Sequence, residues 1–192
     1  FREHGPRANR QKSRLMWLID EWGLEKFRQE VAAQLSWELL SAAEKDELEW
    51  DKRDHLGVYA QKQPGLSYVG LCVPVGRLQA SDLGEVARLA DEYGAGEVRL
   101  SVEQNIIIPH IPNDRLDSFL QEPLLQKFSP EPTPLVRSTV SCTGAQFCGF
   151  AIVETKQRAI QIAQELESEL NLPRSVRMHW TGCPNSCGQP QV

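Results

Sequence analysis

Apolar residues near the amino end recur at steps of three and four. Leu15, Leu18, Ile19, Trp22, Phe27, Val31 and Leu35 mostly keep this spacing, which predicts one or two amphipathic helices with a break at Gly23. The pattern dissolves in "SAAEKDELEWDKR", residues 41–53, where only Leu48 and Trp50 are large and apolar. Such a charged stretch suits an exposed connector. "KQPG" at residues 62–65 then marks a turn and the expected start of a domain. Next comes "SYVGLCVPVG", residues 67–76, whose β-branched and aromatic content predicts a strand. Ser81 as N-cap, Asp82 and Glu85 in the first turn and Gly94 as the stop predict a helix over 82–93. "GEVRLSVEQNIIIPHI" then gives a strand, a turn at residues 103–105 and a second strand, completing a β-α-β arrangement. A short helix interrupted by Pro123 is expected over 114–127.

Three prolines in "SPEPTPLV", residues 129–136, mark a linker or stiff crossover. Beyond it "RSTVSC" reads as a strand entering a loop with Cys142 and Cys148. A helix over 150–170 follows, with Ile152, Val153, Ile160, Ala163, Leu166 and Leu170 inward, and Pro173 ends it. "SVRMHW" is then a strand leading to a second loop with Cys183 and Cys187. This order brings both cysteine pairs to the same end of a sheet.

Length and charge narrow the classes. The 192 residues are enough for one substantial core or two small ones. No uncharged apolar run is long enough to span a membrane, and the basic start has no apolar segment behind it to make a secretory signal. The net charge of −5 argues against a nucleic-acid surface. Arg2, Arg7, Arg10, Lys12 and Arg14 form a local basic cluster, read as a solvated end or a docking patch for an acidic protein. The chain opens on Phe1 and stops just beyond a cysteine loop, so a segment of a longer protein is expected.

The cysteines carry the chemistry. The pattern is C-x5-C, 34 residues, then C-x3-C. Disulfides are disfavoured, since no secretion signal is present and Cys72 is left over. Zinc commonly takes tighter pairs, and the x5 spacing is long for it. A [4Fe-4S] cluster also takes four thiolates and tolerates wider spacing. Zinc and unliganded redox cysteines both stay open on spacing alone. Cys148 is expected at the amino end of the 150–170 helix, where the dipole favours an anionic group. Cys72, inside an apolar strand, reads as a small buried hydrophobe.

"CTGAQFCGFAIVETK" at residues 142–156, with "TGCPNSCGQ" at 181–189, resembles the cluster-binding signature of the nitrite and sulfite reductase family. The similarity is greatest to its ferredoxin-dependent nitrite-reducing branch in cyanobacteria and chloroplasts. "GLSYVGLCVPVGRL" and "VRLSVEQNIIIPHI" are similar to the second of that family's ferredoxin-like half-domains. The implied fold class is α+β, a ferredoxin-like half-domain followed by part of a mixed α/β cluster- and siroheme-binding domain. The implied division is a helical connector over 1–62, the half-domain over 63–128, and the first part of the cluster domain over 129–192.

The resemblance implies that Cys142, Cys148, Cys183 and Cys187 ligate a [4Fe-4S] cluster and that Cys187 bridges to the iron of siroheme. Asn185 would lie against the siroheme, or serve as an ordinary turn residue. Thr143 and Ser186 replace residues typical of sulfite reductases, so the implied reaction is assimilatory reduction of nitrite to ammonium, with ferredoxin as donor. The substrate-binding arginines and lysines are expected upstream of Phe1, and structural roles are expected for Arg99, Arg137 and His179. A monomer in a cyanobacterial cytoplasm or a chloroplast stroma is implied, and the segment alone is expected to be inactive. A sulfite reductase of the same construction and a non-catalytic metal-binding module are the alternatives.

Overall fold

The apolar periodicity at the amino end becomes two helices, α1 (Leu15–Trp22) and α2 (Leu24–Gln34). Gly23 separates them with φ of 75°, a left-handed conformation that glycine adopts without steric cost. The computed structural model describes residues 2–5, 8, 14–42, 44, 54–172 and 176–189. Most of the charged connector expected over 41–53 lies outside the described residues, as do Arg7, Arg10 and Lys12 of the basic cluster. Arg2 and Arg14 are exposed. Residues 1–50 form one unit, in which Leu18 is buried and Trp22 lies beneath the Lys26 ammonium.

Residues 51–192 form the second unit. Its main sheet has strands β1 (Gly57–Ala60), β2 (Leu66–Leu71), β3 (Arg99–Leu100) and β4 (Ile106–Pro112) in the order β1-β2-β4-β3. All three neighbouring pairs are antiparallel. The "KQPG" turn joins β1 to β2, so the sheet starts upstream of the turn that was expected to open it. The 67–76 strand ends early, at Leu71, and a 3-10 turn occupies Pro74–Gly76. Proline supplies no N–H to continue a ladder there.

One face of this sheet is covered by α3 (Ala80–Tyr93), α4 (Leu116–Leu120) and α5 (Leu124–Lys127). The α3 stripe Val86, Leu89, Ala90 and Tyr93 meets Val69, Leu71, Ile106 and Ile108 in the core. Helix α3 begins two residues before the expected start. Asp82 accepts from the Gln79 N–H at 2.8 Å, so the cap belongs to Gln79 and Asp82 rather than Ser81. In β4 the pairing slips by one residue near His110, whose φ is 64°, and this bulge returns Ile111 to the core face. The expected 114–127 helix is split into α4 and α5 around Pro123.

Beyond the proline-rich stretch, α6 (Pro134–Arg137) leads to β5 (Thr139–Ser141). Helix α7 (Lys156–Glu169) then crosses over to β6 (Met178–Trp180), which pairs parallel with β5. Pro173, expected to end α7, is outside the described residues, and the helix ends at Glu169. Among the described residues no helix is long and apolar enough to cross a membrane.

Arg137 joins the two sheets of this unit. Its guanidinium donates to Asp54 at 2.5 and 2.8 Å and to the Leu56 carbonyl at 3.2 Å. Burial alone raises the Asp54 carboxyl, but the bonds from Arg137 and from the Leu56 N–H outweigh it and hold the group below its ordinary value. A carboxyl lowered in the fold stabilises it above the unfolded value of 3.8, and this contribution is lost as pH falls through the lower folded value. Asp54→Asn is therefore expected to destabilise the protein by about 1–2 kcal/mol at pH 7. In paired denaturant titrations the difference between variant and parent should hold level above about pH 4, shrink below it, and vanish only once pH has fallen past the lowered folded value. A constant difference across that range would remove the ion pair as its cause.

Candidate metal centre

Because β5 and β6 run parallel in register, with Thr139 opposite Met178 and Ser141 opposite Trp180, both cysteine loops leave the same end of the pair. Cys142 extends the ladder by donating its N–H to the Trp180 carbonyl at 3.0 Å. The first loop folds on itself through Cys148 N–H to Gly144 O at 3.1 Å and Ala145 N–H to Val153 O at 3.0 Å. It meets the second loop through Ile152 N–H to Gly182 O at 2.8 Å. In return the Gly182 N–H points at the Cys142 sulfur, 3.2 Å away. The second loop is closed by His179, whose Nδ1 donates to the Gly188 carbonyl at 2.7 Å, and by the Gly188 N–H on Thr181 Oγ1 at 3.3 Å.

Two sequence expectations are corrected here. Helix α7 starts at Lys156 rather than 150, so Cys148 sits in an open loop and not at a helix end. The apolar residues before it do not face inward: Ile152 is 78% and Val153 49% exposed. Leu170 is exposed as well, while Ala163 is buried and Ile160 and Leu166 are half-buried. The helix starts late because Glu154 caps it, its carboxylate accepting from the Gln157 N–H at 3.1 Å.

Cys142, not Cys148, lies beside the start of α7. Thr155 places its hydroxyl 2.9 Å from the Cys142 carbonyl and 3.7 Å from the sulfur, and its one proton can turn to either acceptor. Burial raises the Cys142 thiol, but Thr155, the Gly144 and Gly182 N–H groups and the Lys156 charge together lower it below its ordinary value. Thr155→Val should therefore slow alkylation of Cys142 at pH 7 several-fold in metal-free protein, read by mass spectrometry of the Cys142 peptide. An unchanged rate would remove Thr155 from the thiol's environment. Sequence reading missed Thr155, because nothing local ties it to a cysteine 13 positions earlier.

Three glycines let the loops approach this closely. A Cβ on Gly144 would lie 2.7 Å from Thr155 Oγ1, one on Gly182 3.1 Å from the Val153 carbonyl, and one on Gly188 2.0 Å from the Trp180 carbonyl. The half-domain sheet braces the same region. The Gln104 side chain, in the β3–β4 turn, donates to the Ser141 carbonyl at 2.8 Å and accepts its N–H at 3.2 Å. Arg77 donates to Gln146 inside the first loop, and Lys156 donates to the Val75 carbonyl.

None of the four loop cysteines is in a disulfide; Cys142, Cys148 and Cys183 are half-buried and Cys187 is exposed. Among the described residues no three His, Cys, Asp or Glu side chains are drawn together closely enough to hold a metal ion. The surroundings nevertheless fit a thiolate-held cluster. The donors are four soft sulfurs on loops at one end of a strand pair, a backbone N–H already points at one sulfur, and the glycines keep side chains out. Among the described residues the buried Nε2 of His179, in the same loop system, has no hydrogen-bond partner. Asn185 is exposed at the tip of the second loop. Cys72 stands apart, fully buried, with burial pushing its thiol up to about 12. Arg99 pairs with Glu97 at 2.5 Å and Arg137 with Asp54, so both have structural partners.

The sequence description "nitrite and sulphite reductase 4Fe-4S domain" matches residues 1–39 and 133–192. A second, "nitrite/sulfite reductase ferredoxin-like half domain", matches residues 59–125. The chain belongs to the nitrite and sulphite reductase family. The half-domain of this family spans β2, α3, β3 and β4, and all four loop cysteines fall in the family's 4Fe-4S domain. Among curated members, a ferredoxin-nitrite reductase of Synechococcus elongatus is 66% identical over 192 residues, 100% of this chain and 37% of that protein. A chloroplastic ferredoxin-nitrite reductase of Oryza sativa subsp. japonica is 58% identical, over 100% of this chain and 33% of its own length. The chain thus spans about a third of the curated relatives it matches. The solved structure of the Mycobacterium tuberculosis NirA protein aligns with 100% of this chain and 36% of its own at 32% identity and a TM-score of 0.81. It matches the α+β architecture described above.

Proposed function

We propose that this chain is the part of a ferredoxin-dependent nitrite reductase that holds its iron-sulfur cluster. The observation that carries the proposal is the parallel β5–β6 pair, which delivers two cysteine loops to one end and hydrogen-bonds them to each other. Whole-chain identity of 66% and 58% to ferredoxin-nitrite reductases supports nitrite as substrate and ferredoxin as donor. In this reading Cys142, Cys148, Cys183 and Cys187 would hold a [4Fe-4S] cluster, with Cys187 as the ligand it would share with siroheme and Asn185 as a siroheme-side residue. When bound, these groups would relay the six electrons that nitrite needs to become ammonium, each delivered singly by ferredoxin.

The chain's own residues position the donors. Thr155 and the Gly182 N–H orient Cys142, His179 holds the carbonyl that follows Cys187, and Gln104 fixes the backbone that precedes Cys142. The proposed division is a helical connector over 1–62, the half-domain over 63–128 and the cluster domain over 129–192, with the first boundary moved upstream of β1, whose residues 57–60 pair with β2 in the half-domain sheet. The half-domain match over 59–125 supports the middle part, and the first part also carries 4Fe-4S domain sequence over 1–39. Basic substrate-binding side chains would come from elsewhere in the full-length enzyme. We place that enzyme in a cyanobacterial cytoplasm or chloroplast stroma, a reading supported by its cyanobacterial and chloroplastic relatives, and take it to be a monomer.

Anaerobic purification of the full-length enzyme, with an absorption spectrum and iron and zinc analysis, tests the reading. Iron with both a siroheme-type Soret band and cluster absorbance is expected, with turnover of nitrite preferred over sulfite. Zinc, or iron without a tetrapyrrole, would reduce the loops to a structural clasp.

A further inference from the structure

Lys156 is the first residue of α7 and follows the N-cap Thr155 that touches Cys142. Its side chain turns back beneath the first cysteine loop. The ammonium donates to the Val75 carbonyl and lies 3.5 Å from the Ser141 carbonyl. Among the described residues it has no carboxylate within ion-pair distance. Glu154, the one carboxylate whose charge acts on it among the described residues, is turned to the N–H groups of Gln157 and Arg158. The other ionisable groups that act on Lys156 are Cys142 and Arg77. A half-buried cation held only by carbonyl oxygens is electrostatically under-compensated.

The backbone keeps it there. Val75 has φ of 50° and Gly76 of 64°, so the chain turns in the left-handed region to aim a carbonyl at Lys156. A β-branched residue in that conformation is strained, and the surrounding packing has to maintain it. Gln104, itself at φ of 66°, locks the other side by pairing with both backbone groups of Ser141. Two separate elements of the half-domain thus fix one positive charge beside the residue that precedes Cys142.

We propose that Lys156 is a fixed cation that stabilises the negatively charged thiolate-held cluster and raises its reduction potential. This inference rests on the reading that Cys142 and its three partners hold that cluster. One-electron reduction adds a negative charge to the site without making or breaking a bond, so a nearby positive charge favours the reduced form. A partly buried cation acts more strongly than an exposed one because water screens it less. Through this charge the half-domain, which supplies none of the four sulfurs, sets how readily the site accepts an electron.

The experiment is a dithionite titration of the full-length holoenzyme, followed by electron paramagnetic resonance, for the parent, Lys156→Met, Lys156→Gln and Lys156→Arg. The two neutral variants should show a more negative cluster potential, with Lys156→Arg close to the parent. Loss of the cluster from both neutral variants but not from Lys156→Arg would equally show that the charge is required. An unchanged potential in a neutral variant that retains its cluster would overturn the proposal, as would Lys156→Arg behaving like the neutral pair, since either outcome leaves a purely structural tether. A parent enzyme with no cluster signal would instead bring down the underlying assignment together with this one.

Discussion

Cys187→Ser in the full-length enzyme is expected to abolish nitrite reduction and to disturb the cluster and the siroheme spectra together. Serine offers a hard oxygen of high pKa where soft iron sites take a thiolate. Outer-shell changes around metal sites typically cost roughly 10- to 100-fold, and loss of a shared ligand should exceed that. Cys187 is the exposed member of the four, which leaves its sulfur open to a second group. Cys72→Ser is the control: Cys72 is buried immediately after β2, its thiol pushed up to about 12, and both spectra should be unchanged. If Cys187→Ser kept both spectra intact, the bridging assignment would fail. If Cys72→Ser disturbed them, the separation of the fifth cysteine from the site would fail.

Gly188→Ala should be nearly as damaging without touching a donor atom. Its Cβ would sit 2.0 Å from the Trp180 carbonyl and 2.6 Å from the carbon of that carbonyl. These are backbone atoms of β6 and cannot rotate away, so the segment after Cys187 has to move. Moving it also breaks the Gly188 N–H bond to Thr181 and pulls the carbonyl from His179 Nδ1. Displacements near 1 Å at a preorganised site cost about 10²-fold, and a loss of cluster occupancy or activity on that scale is expected. Gly149→Ala is the matched comparison, because no atom lies within 4 Å of its added Cβ. It should change stability by no more than about 0.5 kcal/mol. Equal iron content in the two alanine variants would show that crowding at Gly188 does not control the loop.

What the sequence revealed and what it hid follow from the range of the forces involved. Strands β2 and β4 and helix α3 were legible because each buries one face against a common core, and burial imposes a period on the residues. The parallel strand-loop-helix-strand order was legible for the same reason. Helix α7 was placed too early because "FAIV" has the composition of a buried turn, yet Phe150, Ile152 and Val153 are exposed. Strand β1 was missed because its four residues alternate between half-buried and exposed, and the strand leans on β2 for its existence. Gln104 and Thr155 were beyond reach for a different reason. Their partners lie 37 and 13 positions away, and no local pattern marks a side chain that bonds to distant backbone. The cysteines themselves stood out by spacing, but their mutual arrangement depends on a crossover that spacing does not describe.

That crossover also bears on how the protein reaches its final state. A parallel pair of three-residue strands cannot close by a tight turn, so Ser141 and Trp180 meet only after the chain between them has folded back. Bridging Cys142 to Cys183 through metal would tie off a loop of that length in every conformation, including the disordered ones. By analogy with a disulfide, such a tie removes unfolded-chain entropy equivalent to about 4 kcal/mol. Assembly of the inorganic centre would then act as a late cross-link, and the chain's resistance to unfolding would depend on iron and sulfide supply as well as on its own sequence.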